Sequence, residues 1–317
     1  MKKERYWAVH ILFGLLILLI FAAPDRSAQL PQGLMAANPG GSSMASAHPA
    51  MFAGFAVLLE LLFLWRIKRG ADPRASADIG AILFGVLVLW ELVATTLGLG
   101  HPILCPPPEA VFDVFRTHGR LMLRGIGSSL SLLATGFAVA LPLSVLAGAF
   151  AGWNRRAHGI TVPIARVMAP VPAIIYAPYI IAIMPTFRAA AAMVIILGIF
   201  WPAFLQTVNR VRAMDPAIKD SAHMLGLSSR EMVFQVLLPW LLPGVVAGLR
   251  VTLSTSFMLL VLAEMMGATS GLGYFIKNFA DYANYTNVLA GIILVGMVVN
   301  VLSFIPAMLE RHVIRWK

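Results

Sequence analysis

The sequence predicts an all-α polytopic membrane protein with about eight transmembrane helices, a reading carried by composition, by the length of the apolar runs and by where the charges fall. Of 317 residues, 59% are hydrophobic and 12% charged, the latter about half the ~25% share of an ordinary soluble domain. Apolar runs near 7–23, 50–65, 79–98, 126–151, 161–183, 189–208, 241–265 and 288–309 each approach the roughly 20 residues that a helix needs to cross a bilayer. The charged residues form short clusters between those runs and do not gather on one face or stripe. The formal net charge of +10 therefore reads as membrane topology and excludes a nucleic-acid partner.

The first run follows Lys2, Lys3 and Arg5, so it is either a spanning helix or a signal peptide, although no small-x-small cleavage site follows Phe21. Residues 24–49, with Pro24, Pro31, Pro39, Gly40 and Gly41, read as an external loop. The second run ends in the charged, turn-rich segment 66–78, RIKRGADPRASAD. That segment separates an N-terminal two-helix extension, residues 1–78, from the rest. The third run leads through Pro106, Pro107 and Pro108 to a stretch in which Val111, Val114, Phe115, Leu121 and Met122 lie among Arg116, Arg120 and Arg124. That spacing predicts an amphipathic helix lying at the outer interface. Residues 79–124 thus hold a first core helix and an external segment, and residues 125–310 form the main helical domain. Within it, Pro170, Pro172 and Pro178 interrupt the 161–183 run. A discontinuous helix can line a translocation pathway, and a packing kink is the plainer alternative.

With the N-terminus in the cytoplasm, sixteen of the 24 Lys and Arg residues fall in inside segments. Outside segments hold Arg26, Arg116, Arg120, Arg124, Arg188 and Lys277. The positive-inside rule therefore puts both termini in the cytoplasm. Arg166 and Arg250, near cytoplasmic span ends, read as side chains that snorkel to headgroups.

The same orientation leaves the polar island at 209–240 in the cytoplasm, between two apolar runs. Its centre, DSAHMLGLSSREMVFQVLLP, spans residues 220–239. Asp215 or Ser221 is placed to cap a helix start, and Asp220 suits the positive helix end. Ala222 is small enough for close packing. Gly226 can take a left-handed conformation and end that helix, after which Ser228 and Glu231 have the S-x-x-E spacing of a capping box. Two short helices joined at a glycine make a compact knob, and Pro239 and Pro243 mark entry into the next span.

The island's order of residues, Asp220-Ser221-Ala222, Gly226, then Val236-x-Leu238-Pro239, resembles the EAA-x3-G-x9-I-x-L-P signature of ABC importer permeases. Further pieces follow the order seen in the nitrate, sulfonate and taurine branch. They are Leu89-Trp90-Glu91-Leu92, Cys105-Pro106-Pro107-Pro108, Ser128-Ser129-Leu130, Pro170-Val171-Pro172, Asp215-Pro216, Gly248-Leu249-Arg250, and Ala263-Glu264-Met265 through Ser270-Gly271-Leu272-Gly273-Tyr274. Asp in place of Glu and Ser in place of Ala depart from the first two signature positions. The resemblance implies a type I importer permease core in a bacterial cytoplasmic membrane, and ATPase-coupling residues at Asp220, Ser221, Ala222, Gly226, Leu238 and Pro239. It also implies separate ATPase subunits, an extracytoplasmic solute-binding protein, and a second permease copy or paralogue. The cargo it implies is a small anion such as nitrate, a sulfonate or taurine.

Glu264 is the one carboxylate deep in a strong apolar run, at roughly 35 Å from Leu241 by helical rise. Near the outer face it is either solvated or paired, with a place on the translocation pathway beside Pro170 and Pro172 as the functional alternative. No G-x4-G-K-[ST] phosphate loop occurs, so the chain is not itself the ATPase. The seven histidines lack metal-binding spacing, no G-x-S-x-G nucleophile motif appears, and Cys105 stands alone. Neither cofactor nor metal is expected. A secondary transporter or channel driven by an ion gradient is the alternative reading, and it calls for several buried ionisable groups or inverted repeats.

Overall fold

A computed structural model of the protein describes residues 6–22, 49–69, 72–99 and 103–313. The basic residues Lys2, Lys3 and Arg5, the Pro- and Gly-rich stretch and the last four residues lie outside them. Among the described residues all regular structure is helical. Six helices are long and apolar enough to cross a membrane, seven if one bent pair counts as a single span. The remaining element of the expected eight, α1 (Tyr6–Ala22), is apolar but shorter.

The chain divides into two compact units. In the first, residues 1–122 with 276–293, α1 packs with α2 (Pro49–Lys68), α3 (Pro73–Glu91) and α4 (Pro108–Thr117). The start of α3 is set by sequence: Asp72 accepts a hydrogen bond from the Arg74 amide at 3.0 Å and Pro73 opens the helix. Val9 and Leu16 of α1, Phe52 and Ala56 of α2 and Phe84 of α3 form the shared core. Glu60 is buried there, and the His10 imidazole gives one of its oxygens a partner.

The expected amphipathic helix exists, and protein covers its apolar face. Every residue from Pro108 to Val114 is buried, because the Phe112 ring packs on Phe52 and Phe55 at centroid distances of 5.1 and 4.6 Å. Leu121 and Met122 belong to the next helix, which starts at Gly119. Burial also holds the Glu109 carboxyl above the usual carboxylate range, beside the buried Glu91.

The second unit comprises residues 123–275 with 294–317. It holds most of α5 (Gly119–Trp153), then α6 (Arg155–Met168), α7 (Ala177–Ile183), α8 (Phe187–Arg212), α9 (Pro216–Met224) and α10 (Leu238–Met265). After α11 (Leu272–Asp281) and α12 (Tyr285–Leu302), which run across the division between units, it ends with α13 (Phe304–Val313). Asn154 caps α6 by accepting from the Arg156 and Ala157 amides, both at 3.0 Å. The expected 161–183 span is broken: α6 ends at Met168, and the chain turns by 83° before resuming at Ala173. Pro170 and Pro172 lie in that turn and Pro178 in the first turn of α7, where a missing N–H costs no helical hydrogen bond.

Lipid tails give no hydrophobic drive for helix association, so close contact depends on small residues. Helix α5 carries them at every fourth position: Gly136, Ala140, Ser144, Gly148 and Gly152. A Cβ on Gly136 would stand 2.5 Å from Ile195 Cγ2, on Gly148 2.7 Å from Thr207 Cβ, and on Gly152 2.7 Å from Val211 Cβ. Across from this seam, Gly198 of α8 admits Leu259 of α10, and Gly244 of α10 leaves room for the Arg210 guanidinium.

Gly148→Val is expected to lower the melting temperature of the detergent-solubilised chain sharply, overpacking of this kind costing about 1–3 kcal/mol or more. Gly159→Ala, whose Cβ meets nothing within 4 Å, is the control and should hold or raise it. Equal melting of the two variants would refute the seam. The Glu109 shift has a definite sign: a raised folded-state pKa adds stability that is complete below the unfolded value of 4.5 and is lost as pH rises through the raised value. Glu109→Gln should therefore flatten the decline in thermal stability toward alkaline pH, and an unchanged slope would count against the burial.

Candidate functional site

At the cytoplasm-assigned end of α8 the helix stops at Arg212, and Asp215 starts the next one. The Asp215 carboxylate accepts the Ala217 amide at 2.9 Å, with Pro216 in the first helical position. Ser221 is not a cap; its hydroxyl donates to the Ala217 carbonyl at 2.7 Å within α9. Asp220 is likewise the fifth residue of α9, beyond the first turn where a negative charge meets the helix dipole. Both differences follow from the proline, which fixes the helix start at 216.

Ala222 is buried in a cluster with Val211, Met214, Met232 and Leu237. Four residues later Gly226 has φ +65°, and the Leu227 amide donates to the Ala222 carbonyl at 3.2 Å. This is a Schellman ending, which requires the left-handed residue. The capping box then forms as read: the Glu231 amide donates to Ser228 Oγ at 3.3 Å, and the Ser228 amide to Glu231 Oε2 at 2.8 Å.

Residues Met232–Leu237 form a π turn, with the Leu238 amide donating to the Val233 carbonyl. Pro239, lacking an N–H, follows directly and opens α10. Leu238 packs against the Ala222 cluster while Pro239 is exposed. Of the six residues that the resemblance implies, Asp220, Ser221, Ala222 and Gly226 thus fall on one small knob, and Leu238 and Pro239 lie where it joins α10. At its tip Met224 is 89% and Leu225 77% exposed. Sequence reading passed over these two, although a pair of large apolar residues directly before the turn glycine was the available signal.

At the opposite ends of α8 and α10, Glu264 is buried, not solvated, and its side-chain oxygens meet donors. Oε1 accepts from Ser129 Oγ at 2.7 Å and Oε2 from the Gly273 amide at 2.8 Å. Ser129 Oγ in turn accepts from the Leu272 amide at 2.9 Å. The turn fits so closely that a Cβ on Gly271, at φ +125°, would stand 2.4 Å from Glu264 Cδ. One carboxylate thereby ties α5, α10 and the start of α11 together. Pro170 and Pro172 lie exposed at the bend of the broken span and take no part in this network.

The knob, the interrupted span and the glycine-packed bundle can be set beside known proteins. Residues 128–316 match the family described as binding-protein-dependent transport system inner membrane component. The chain belongs to that family. It is 27% identical over 256 residues to the aliphatic sulfonates transport permease protein SsuC of Bacillus subtilis, covering 79% of this chain and 91% of that one. It is 26% identical over 264 residues to the taurine transport system permease protein TauC of Escherichia coli, covering 81% and 94%. Among solved structures, the inward facing MetNI methionine ABC transporter superposes with a TM-score of 0.53 at 22% identity, over 62% of this chain and 98% of that one. That likeness concerns the fold. The chain is accordingly a multi-pass permease subunit of an ABC importer, and ATP hydrolysis belongs to a separate subunit.

Ser129→Ala should remove about 1–3 kcal/mol of stability by leaving the Leu272 amide and one Glu264 oxygen unpaired. The check is a double-mutant cycle by thermal melting in detergent: Glu264→Ala should cost less in the Ser129→Ala background than alone. Additive losses would mean that the two side chains do not act as one tie.

Proposed function

We propose that this permease takes up a small anionic solute such as nitrate, a sulfonate or taurine, and that the 215–231 knob is where its ATPase docks. The observation that carries the second part is the Gly226-terminated helix, which buries Ala222 on one side and leaves Met224 and Leu225 bare in water on the other. Exposed apolar side chains on a rigid, capped turn fit the profile of a protein contact. Ala222, Gly226, Leu238 and Pro239 act by shaping the knob and fixing its joint to α10, whereas Asp220 and Ser221 lie on its outer part. The names of the sulfonate and taurine relatives support the anionic cargo.

In this reading both termini and the knob face the cytoplasm, and a second permease copy or paralogue completes the pathway. Residues 1–78 are an added membrane extension, 79–124 a first core helix with its external segment, and 125–310 the transporting domain. Closure of the ATPases on ATP moves the knob, the glycine-packed helices carry that movement across the membrane, and the cavity opens outward to receive solute from the binding protein. Hydrolysis returns it to the inward state. Pro170 and Pro172, at the broken span, border the pathway, and Glu264 holds its outer rim in shape.

The test is co-purification of the wild-type chain and of a Gly226→Arg variant with the candidate ATPase subunits. The wild type should retain the ATPase, and the variant should lose it while still inserting in the membrane, since an arginine at φ +65° both strains the turn and adds bulk at the tip. Retention by the variant equal to wild type would remove the knob from the coupling route. A wild-type chain that bound no ATPase would revive the ion-coupled alternative.

A further inference from the structure

At the end of α8 away from the knob, the second unit carries an open-sided cavity of about 310 Å³. Its polar lining includes Ser128, Thr186, Thr269 and Ser270, its apolar lining Leu132 and Phe187, and its one cationic side chain is Arg188. Arg188 Nη2 donates to Ser131 Oγ at 2.8 Å. That bond fixes the direction of the guanidinium, and among the described residues no carboxylate pairs with it. Its remaining donors keep the forked geometry that matches two oxygens of one oxyanion.

Glu264 also borders the cavity. Its Oε1 accepts from Ser129 Oγ and its Oε2 from the Gly273 amide, so it makes no ion pair with the guanidinium. The same tie holds Thr269 and Ser270 in place, and Ser270 Oγ lies 2.9 Å from Ser128 Oγ. The cavity therefore presents a fixed cation and a set of hydroxyls to one side, and Leu132 and Phe187 to another.

Size narrows the ligand further. At about 30 Å³ per water, 310 Å³ corresponds to roughly ten water molecules, several times the volume of a bare anion such as nitrate. An anion filling it needs an apolar portion to cover Leu132 and Phe187.

We infer that this cavity is the permease's receiving site for solute, that Arg188 is its specificity-determining residue, and that the ligand is an oxyanion on a short aliphatic chain. The inference rests on the importer reading for its direction of transport, but its binding test does not. The chain's own arginine is the reporter: the rate at which phenylglyoxal modifies Arg188 is followed by peptide mass spectrometry, with exposed Arg155 as an internal standard. The sample is the full chain, co-purified with its ATPase, in a phosphate-free maltoside detergent.

Saturating 1-butanesulfonate or butanoate should slow modification of Arg188 at least tenfold relative to Arg155. Butylammonium should not, and nitrate should protect several-fold less than butanesulfonate. Arg188→Lys should bind butanesulfonate about tenfold more weakly by equilibrium dialysis, since lysine keeps the charge and loses the fork.

Equal modification rates with and without every anion would overturn the inference, and nitrate protecting as well as butanesulfonate would overturn its aliphatic part. A lipid headgroup carries the same oxyanion chemistry, so the measurement is repeated in phosphatidylglycerol nanodiscs. Protection there without added solute, undisturbed by butanesulfonate, would assign Arg188 to lipid and likewise overturn it. A chain that holds its ATPase but shows no protection keeps the importer reading and loses only this site. A chain that shows protection without ATPase does the reverse.

Discussion

Everything at either end of the second unit depends on how tightly helix α8 is gripped. On one side the four-residue stripe of small residues along α5 brings backbone against Ile195, Thr207 and Val211; on the other, Gly198 and Gly244 bring α10 into similar contact. In a bilayer such contacts replace the hydrophobic effect as the source of association, because dispersion and excluded lipid are all that helices gain by touching. They also remove slack. A helix with glycines on its neighbours cannot slide by part of a turn without driving a β-branched side chain into backbone, so α8 has one register. Its 26 residues span about 39 Å at 1.5 Å per residue, and its two ends carry Arg188 and the knob.

The second constraint is that polar groups removed from water must find partners inside the chain. Glu264 is the clearest case, since an unpaired carboxylate there would be costly to bury. It is met by a hydroxyl and a backbone amide, and those partners come from α5 and from the first turn of α11. The Gly-x-Gly spacing at 271 and 273 follows from this packing, because a side chain at 271 would displace the carboxylate and one at 273 would run into the Val261 carbonyl oxygen. In the first unit the His10 ring gives one oxygen of the buried Glu60 a hydrogen-bond partner between α1 and α2. At Glu109, beside the buried Glu91, burial favours the neutral form.

Local chemistry was legible in the sequence wherever it was covalently close. Gly226 as a helix terminator, the Ser228–Glu231 capping box and the broken 161–183 span all follow from residues within a few positions of one another, and the structure has each of them. What depended on distant partners was not legible. The period of Val111, Val114 and Phe115 shows an amphipathic helix, but an apolar face reads alike against lipid or protein, and only Phe52 and Phe55 decide it. Ser129 and Arg188 looked ordinary because their meaning lies in Glu264 and Ser131, 135 and 57 residues away. Asp220 and Ser221 were misplaced by a smaller error: the proline at 216 fixes the helix start and so moves both out of the capping positions.

The joint between knob and membrane helix has a physical cause that the signature alone does not express. A proline at 239 has no amide hydrogen, so the carbonyl one turn before it loses its α-helical donor. The chain responds by widening: Leu238 bonds back five residues to Val233, and 232–237 becomes a π turn. That insertion turns the helix face by one residue between the knob and α10, which leaves Met232, Val233 and Leu237 facing Ala222 while Phe234 stays exposed. Replacing Pro239 by alanine would restore a donor and let the ordinary helix close, rotating the knob relative to α10. The Leu-Pro pair therefore sets the orientation of the knob relative to α10, whose far end carries Glu264.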